Sequence, residues 1–167
     1  MAPQDKKPKP VTTLRCSSIK ASIWKNEGMK GILGWLQGQM RELHGVDVRI
    51  DAEHEILVAD PDVRVLLFQI FRELLFNIAK HAEAKSAVVT LGEADGELRF
   101  TVSDRGNGFD VAAALANRVA GSSLGLRNAR ERIGLLGGQM QIESQPGVGT
   151  SVVLRMPKSA TIGHSAP

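Results

Sequence analysis

From Met29 onward the hydrophobic positions fall into regular spacings. Met29, Leu33, Leu36, Met40 and Leu43 recur at steps of four, three, four and three, which predicts a helix with one apolar seam, stopped by Gly45. "VDVRIDA" then alternates apolar and polar residues as a half-buried strand does. Asp60-Pro61 reads as a helix start, and Leu67, Ile70, Phe71, Leu74, Leu75 and Ile78 form the inner stripe of the long helix it opens. "AVVTLG" and "ELRFTVSD" predict two strands joined through Asp95-Gly96, a hairpin-turn dipeptide. A glycine-rich stretch with a short helix leads to a longer helix from about Leu124 to Leu136, ended by Gly137-Gly138. "QMQIES" and "TSVVLRM" make a second hairpin across "QPGVG".

This order predicts helices over one face of a mixed, largely antiparallel sheet: an α+β fold built as a two-layer α/β sandwich. Ahead of it, "VTTLRCSSIKASIW" has strand-like alternation but no evident partner. The first ten residues hold three of the seven prolines and three lysines, so residues 1–27 read as a basic, disordered leader. The folded domain is expected over 46–157, with 158–167 as a tail.

The chain has 167 residues, 43% of them hydrophobic and 23% charged, enough for one domain with a sizeable core. No apolar run is long enough to span a bilayer, and the basic N-terminus lacks the apolar core of a signal peptide. The single cysteine, Cys16, excludes an internal disulfide and fits a cytoplasmic location. The formal net charge of +3 is unevenly placed. Lys6, Lys7, Lys9, Arg15, Lys20 and Lys25 face only Asp5 and Glu27 in the leader, so the rest of the chain is close to neutral. A short Lys/Pro leader is an ordinary solvated tail, and no direct nucleic-acid partner is expected.

Three stretches carry candidate chemistry. In "FRELLFNIAKHA", Glu73, Asn77 and Lys80 stand at helical spacing on one face, followed by His81. A carboxylate, an amide and a cation beside an apolar stripe suit a metal–phosphate site; an amphipathic helix with a solvated polar face would show the same pattern. In "DRGNGFD", Asp104 ends a strand and Gly106 and Gly108 let the backbone turn and approach a ligand, although a plain Asx/Gly turn would look the same. In "GSSLGLRNARERIGLLGG", Gly121, Gly125 and Leu126 precede a helix whose first amides form an anion site, or merely a helix start. Neither a Rossmann fingerprint nor a P-loop is present, so a nucleotide would be bound in another way.

Taken together and in this order, the stretches resemble the N box and the first two glycine boxes of the GHKL ATPase superfamily. "RELLFNIAKHAEAK" and "GLRNARERIGLLGGQMQIESQPGVGTSVVLRMP" look like the ATP-binding domain of bacterial two-component sensor histidine kinases, of the class that includes nitrate sensors. The resemblance covers about residues 28–157 and implies ATP and Mg²⁺ as cofactors. It implies that Asn77 binds Mg²⁺, that Lys80 and His81 face the phosphates, and that Asp104 holds the adenine amino group. Gly106 and Gly108 would shape the adenine pocket, Gly121, Gly125 and Leu126 the lid, and Thr150 would lie near the adenine. Glu73 sits where hydrolytic relatives keep a water-activating base. Implied partners are a histidine-bearing dimerisation domain and a response regulator. The other function in view is an ATP-switched binding module of the anti-sigma type.

"MRELHGVD" resembles the phosphoacceptor stretch of such kinases. An acceptor histidine sits mid-helix, and a second helix returns from it before the ATPase domain. His44 is followed at once by Gly45 and a strand, so it reads as a helix-end residue and residues 28–45 as the remnant of a dimerisation helix. His54 lies on an expected loop and His164 in the tail.

Overall fold

The computed structural model describes residues 10–16, 19–24, 28–116 and 122–162. Within the stretch expected to be a disordered leader, β1 (Pro10–Cys16) and β2 (Ile19–Trp24) pair with each other as an antiparallel two-stranded sheet. The alternation noted there thus has its partner within the leader itself, and the expectation of disorder is corrected for these two strands.

The 16-residue helix α1 (Met29–His44) follows. It contains Gly31, Gly34 and Gly38, each costing about 1 kcal/mol against alanine in a helix interior. Burial offsets this: Met29, Ile32, Leu33, Leu36 and Met40 are at most 5% exposed. Leu43, expected at the end of the seam, is instead 59% exposed. The seam ends early because Gly45, at φ 66°, reverses the chain, with the amides of Gly45 and Val46 returning to the carbonyls of Arg41 and Met40. At the other end, Glu55 accepts from the Lys30 amide at 2.8 Å and the Ile56 carbonyl from that of Met29 at 3.0 Å, in place of a side-chain cap. The buried residues of α1 therefore pack inside this domain.

β3 (Asp47–Ala52) leads to α2 (Pro61–Asn77), which has proline in its first turn and Asp60 as a true cap: its carboxylate accepts from the amides of Asp62 at 2.8 Å and Val63 at 3.3 Å. The helix continues as one π-helical turn, Ile78–Ala82. β4 (Ser86–Ala94) and β5 (Glu97–Asp104) are joined by Asp95 and Gly96, both at positive φ as a tight hairpin requires. The chain ends with α3 (Val111–Ala116), α4 (Ser122–Leu135), β6 (Gln139–Gln145) and β7 (Gly149–Pro157).

The large sheet has the order β3-β4-β5-β7-β6, parallel between β3 and β4 and antiparallel elsewhere. Alternate residues such as Val89, Phe100, Val102, Val152 and Leu154 point to the helices and are buried, while Thr90, Arg99 and Arg155 do not. Phe71 of α2 meets Phe100 of β5 edge to face, with centroids 5.4 Å apart. Helices and sheet share one hydrophobic core, the expected two-layer sandwich. Ala160 and Ile162 of the tail pack on it, and the Ile162 amide donates to Asp60 at 3.2 Å.

Replacing Phe100 by alanine empties the centre of this core and should cost about 3–5 kcal/mol of unfolding free energy. Asp60→Ala removes a helix cap and should cost only about 1 kcal/mol. Chemical denaturation of the two variants checks the ranking; equal losses would mean that the core is not centred on the Phe71–Phe100 contact.

Candidate functional site

A cavity of about 200 Å³ opens between the C-terminal half of α2 and the ends of β5 and β7. Leu74, Asn77, Ile78 and His81 form its helical wall, and Val102, Asp104, Thr150 and Val152 its sheet wall. Gly108, Phe109, Ala114 and Leu126 line the rest. The lining is apolar apart from a few convergent polar groups, the usual make-up of a small-molecule site.

Asp104 is placed by two backbone amides. Its Oδ1 accepts from the Gly106 amide at 2.8 Å, and the Thr150 amide also donates to the carboxylate. The following loop crosses the π turn, where the Asn107 amide donates to the Ala82 carbonyl at 2.7 Å. A Cβ at Gly106 would overlap that carbonyl, and one at Gly108 would overlap the carbonyl of Gln145. Burial pushes the Asp104 carboxyl above its ordinary value of 3.8, against the two amide hydrogen bonds, which pull it down.

Asn77 turns its side-chain amide into the cavity wall. Among the described residues its Nδ2 is buried with no hydrogen-bond partner, a state that costs about 1–3 kcal/mol unless a ligand satisfies it. A flip of the side-chain amide exchanges its oxygen and nitrogen, so either can meet a ligand.

Lys80 does not line the cavity. The π turn takes more residues per revolution than an α-helix, so side chains beyond Asn77 lag behind their expected positions. His81 comes round to the cavity, while the Lys80 ammonium lies over the Phe76 ring, 5.5 Å from its centroid. The Arg72 guanidinium sits 5.4 Å from the same ring, and His44 meets it edge-on at 4.8 Å. Glu73 is half-buried outside the cavity lining, with the backbone of Gly125 set against its carboxylate. Gly121 lies outside the described residues. Of the residues expected at the site, Asn77, His81, Asp104, Gly108, Leu126 and Thr150 converge on one space, with Gly106 supporting Asp104.

The family of histidine kinase-, DNA gyrase B-, and HSP90-like ATPases (HATPase_c) matches residues 62–160, from the first turn of α2 to beyond β7. The chain belongs to this family. Among curated relatives, the sensor histidine kinase MctS of Rhizobium johnstonii is 34% identical over 143 residues, covering 85% of this chain and 30% of the relative. LiaS of Bacillus subtilis, also a sensor histidine kinase, is 30% identical over 133 residues, covering 80% and 35%. The chain thus spans about a third of the length of these relatives. Solved structures agree on the fold: Acinetobacter baumannii histidine kinase AdeS superposes with a TM-score of 0.66 at 16% identity, covering 79% of this chain and 66% of that one. The mycobacterial sensor histidine kinase MprB gives 0.64 at 19% identity, covering 78% and 95%.

The apolar half of this HATPase_c cavity was not legible beforehand. Leu74, Ile78, Val102 and Val152 alternate or recur as core residues do, and nothing in their spacing separates a cavity wall from a packed interior.

The raised Asp104 carboxyl gives a testable sign. Protonation is favoured in the folded state, so this group's contribution to stability is greatest at acid pH and is lost as pH rises through its folded value. Carboxyl ¹³C titration of Asp104 should give a midpoint above 3.8; a midpoint at or below it would mean that the amide hydrogen bonds outweigh burial.

Proposed function

We propose that this chain is the ATP-binding catalytic module of a two-component histidine kinase, of the class that includes nitrate sensors, which transfers the ATP γ-phosphoryl group to a histidine on a separate acceptor domain. A response regulator would then receive the phosphoryl group from that histidine. The observation that carries the reading is the pairing, on one cavity, of a half-buried carboxylate at Asp104 with an unsatisfied amide at Asn77. The AMPPNP complex of ShkA, a structural neighbour at 22% identity and a TM-score of 0.65, is consistent with it.

Adenine fits the sheet side of the cavity. Its amino group donates to Asp104, whose other hydrogen bonds come from backbone amides, and its ring lies between the apolar walls. The phosphates extend along α2 past Asn77 and His81, with Lys80 exposed beyond. Asn77 suits Mg²⁺, which takes few protein ligands and keeps its waters and phosphate oxygens; when bound, the ion would supply charge neutralisation on the phosphates. The residues themselves bind and orient: Asp104 fixes the base, Asn77 the metal-bearing phosphates, and Leu126 with α4 covers the cavity. In the transfer step, an acceptor histidine nitrogen bonds to the γ-phosphorus while the bond to the β–γ bridging oxygen breaks and ADP leaves. Such transfer depends mainly on positioning and charge stabilisation.

His44 does not serve as that acceptor. It ends α1, leans on Phe76, and is followed at once by Gly45 and β3 rather than by a returning helix. Transfer requires approach of about 3–3.5 Å at the reactive moment.

Calorimetry should show Mg-ATP binding that Asp104→Asn abolishes and Asn77→Asp disturbs chiefly in its metal dependence. Incubated alone with γ-labelled ATP, the chain should accumulate no acid-labile phosphohistidine, while an added dimerisation and acceptor domain of the same kinase class becomes labelled. Unchanged affinity in both variants would remove the site assignment. Labelling of the isolated chain that disappears in His44→Gln would make it a self-acting kinase instead.

A further inference from the structure

Thr150 lines the cavity, and behind it stands a second hydroxyl that does not. Ser144 Oγ, on β6, accepts from the Phe109 amide at 2.9 Å, donates to the Gly149 carbonyl at 3.0 Å, and lies 2.9 Å from Thr150 Oγ1. A serine hydroxyl has one proton and two lone pairs. The Gly149 carbonyl can only accept, so it takes the proton; the Phe109 amide can only donate, so it takes one lone pair. What Ser144 has left for Thr150 is a lone pair. The Thr150 proton therefore points back at Ser144, and Thr150 Oγ1 turns lone pairs toward the cavity. Asp104, paired with Thr150 across β5 and β7, is likewise an acceptor.

We propose that Ser144 is a specificity-determining positioning residue: by holding the Thr150 hydroxyl as an acceptor toward the cavity, beside the Asp104 carboxylate, it selects a purine that carries an amino group at C6 over one that carries a carbonyl there. The inference rests on the nucleotide reading above and adds to it the residue that sets the polarity of the pocket. Ser144 touches no nucleotide itself and acts only through Thr150. Two acceptors at the C6 substituent, Asp104 and Thr150, take both amino protons of adenine, whereas a C6 carbonyl sets lone pairs against lone pairs there.

Equilibrium dialysis of the full chain with ATP and ITP tests this, since the two nucleotides differ only in the C6 substituent and in the N1 proton that accompanies the carbonyl. The folded wild type should prefer ATP. Ser144→Ala releases the Thr150 hydroxyl to rotate and donate, and should narrow the ATP/ITP affinity ratio by about tenfold, the weight of one hydrogen bond. Ser144→Thr keeps a hydroxyl at this position and should retain the wild-type ratio. In a Thr150→Val background, Ser144→Ala should no longer change the ratio. General loosening of the pocket would weaken both nucleotides together, so the ratio isolates the hydroxyl's orientation. Should Ser144→Ala fail to fold, Ser144→Cys, whose thiol is a poor hydrogen-bonding group, carries the same comparison. A wild-type preference for ATP that survives loss of the Ser144 hydroxyl overturns the assignment while leaving ATP binding intact. Folded wild type that binds neither nucleotide removes the nucleotide reading and this inference with it.

Discussion

The contact on which the site depends is between two stretches of backbone: the loop after β5 laid directly over the π turn after α2. The Asn107 amide reaches the Ala82 carbonyl at 2.7 Å, and the Gly147 amide reaches the Asn107 carbonyl at 2.6 Å. One residue thereby ties the helix layer to the turn between β6 and β7. Side chains cannot intrude at this crossing, and Gly106 and Gly108 occupy the points of closest approach. With the crossing in place, Asp104 and Asn77 necessarily face the same space. Without it, the carboxylate and the amide would belong to separate surfaces.

The same crossing explains why the polar groups there are not at their individual optima. Asp104 is held where burial penalises its charge, and Asn77 keeps a buried amide nitrogen unsatisfied among the described residues. Both costs fall on groups that a ligand with a donor edge and an anionic, metal-bearing tail would relieve. Stability given up by the empty fold is recovered on binding, as expected of a cavity built for a ligand rather than for packing.

Much of the fold was legible in the sequence because its elements obey simple periods. The α2 stripe from Leu67 to Ile78, the Asp95-Gly96 hairpin and the Gly45 stop each follow from spacing or turn chemistry, and the structure has them where expected. What failed to show had no local signature. The π turn, which separates Lys80 from Asn77, arises where the helix meets the crossing loop, and no residue in "IAKHA" announces it. Leu43 was counted with the seam because period alone cannot tell where a helix leaves its support. The strands of the leader were readable as alternation, but their pairing was not. Ser144 falls in phase with Met140 and Ile142 on the inner face of β6, and nothing in that alternation announces its three hydrogen-bond partners.

The register of β5 against β7 places Asp104 opposite Thr150, two residues far apart along the chain. The β4–β5 and β6–β7 hairpins close over short turns and can form early, whereas the β5–β7 ladder must bring two such units together across a long intervening segment. These two cavity-lining groups are therefore brought together by the strand pairing of longest sequence separation in the large sheet. A chain caught with only its local hairpins made would have most of its hydrogen-bonded strands and no cavity. The cavity is thus complete only when the long-range ladder is, and a ligand that touched both residues would discriminate finished molecules from nearly finished ones.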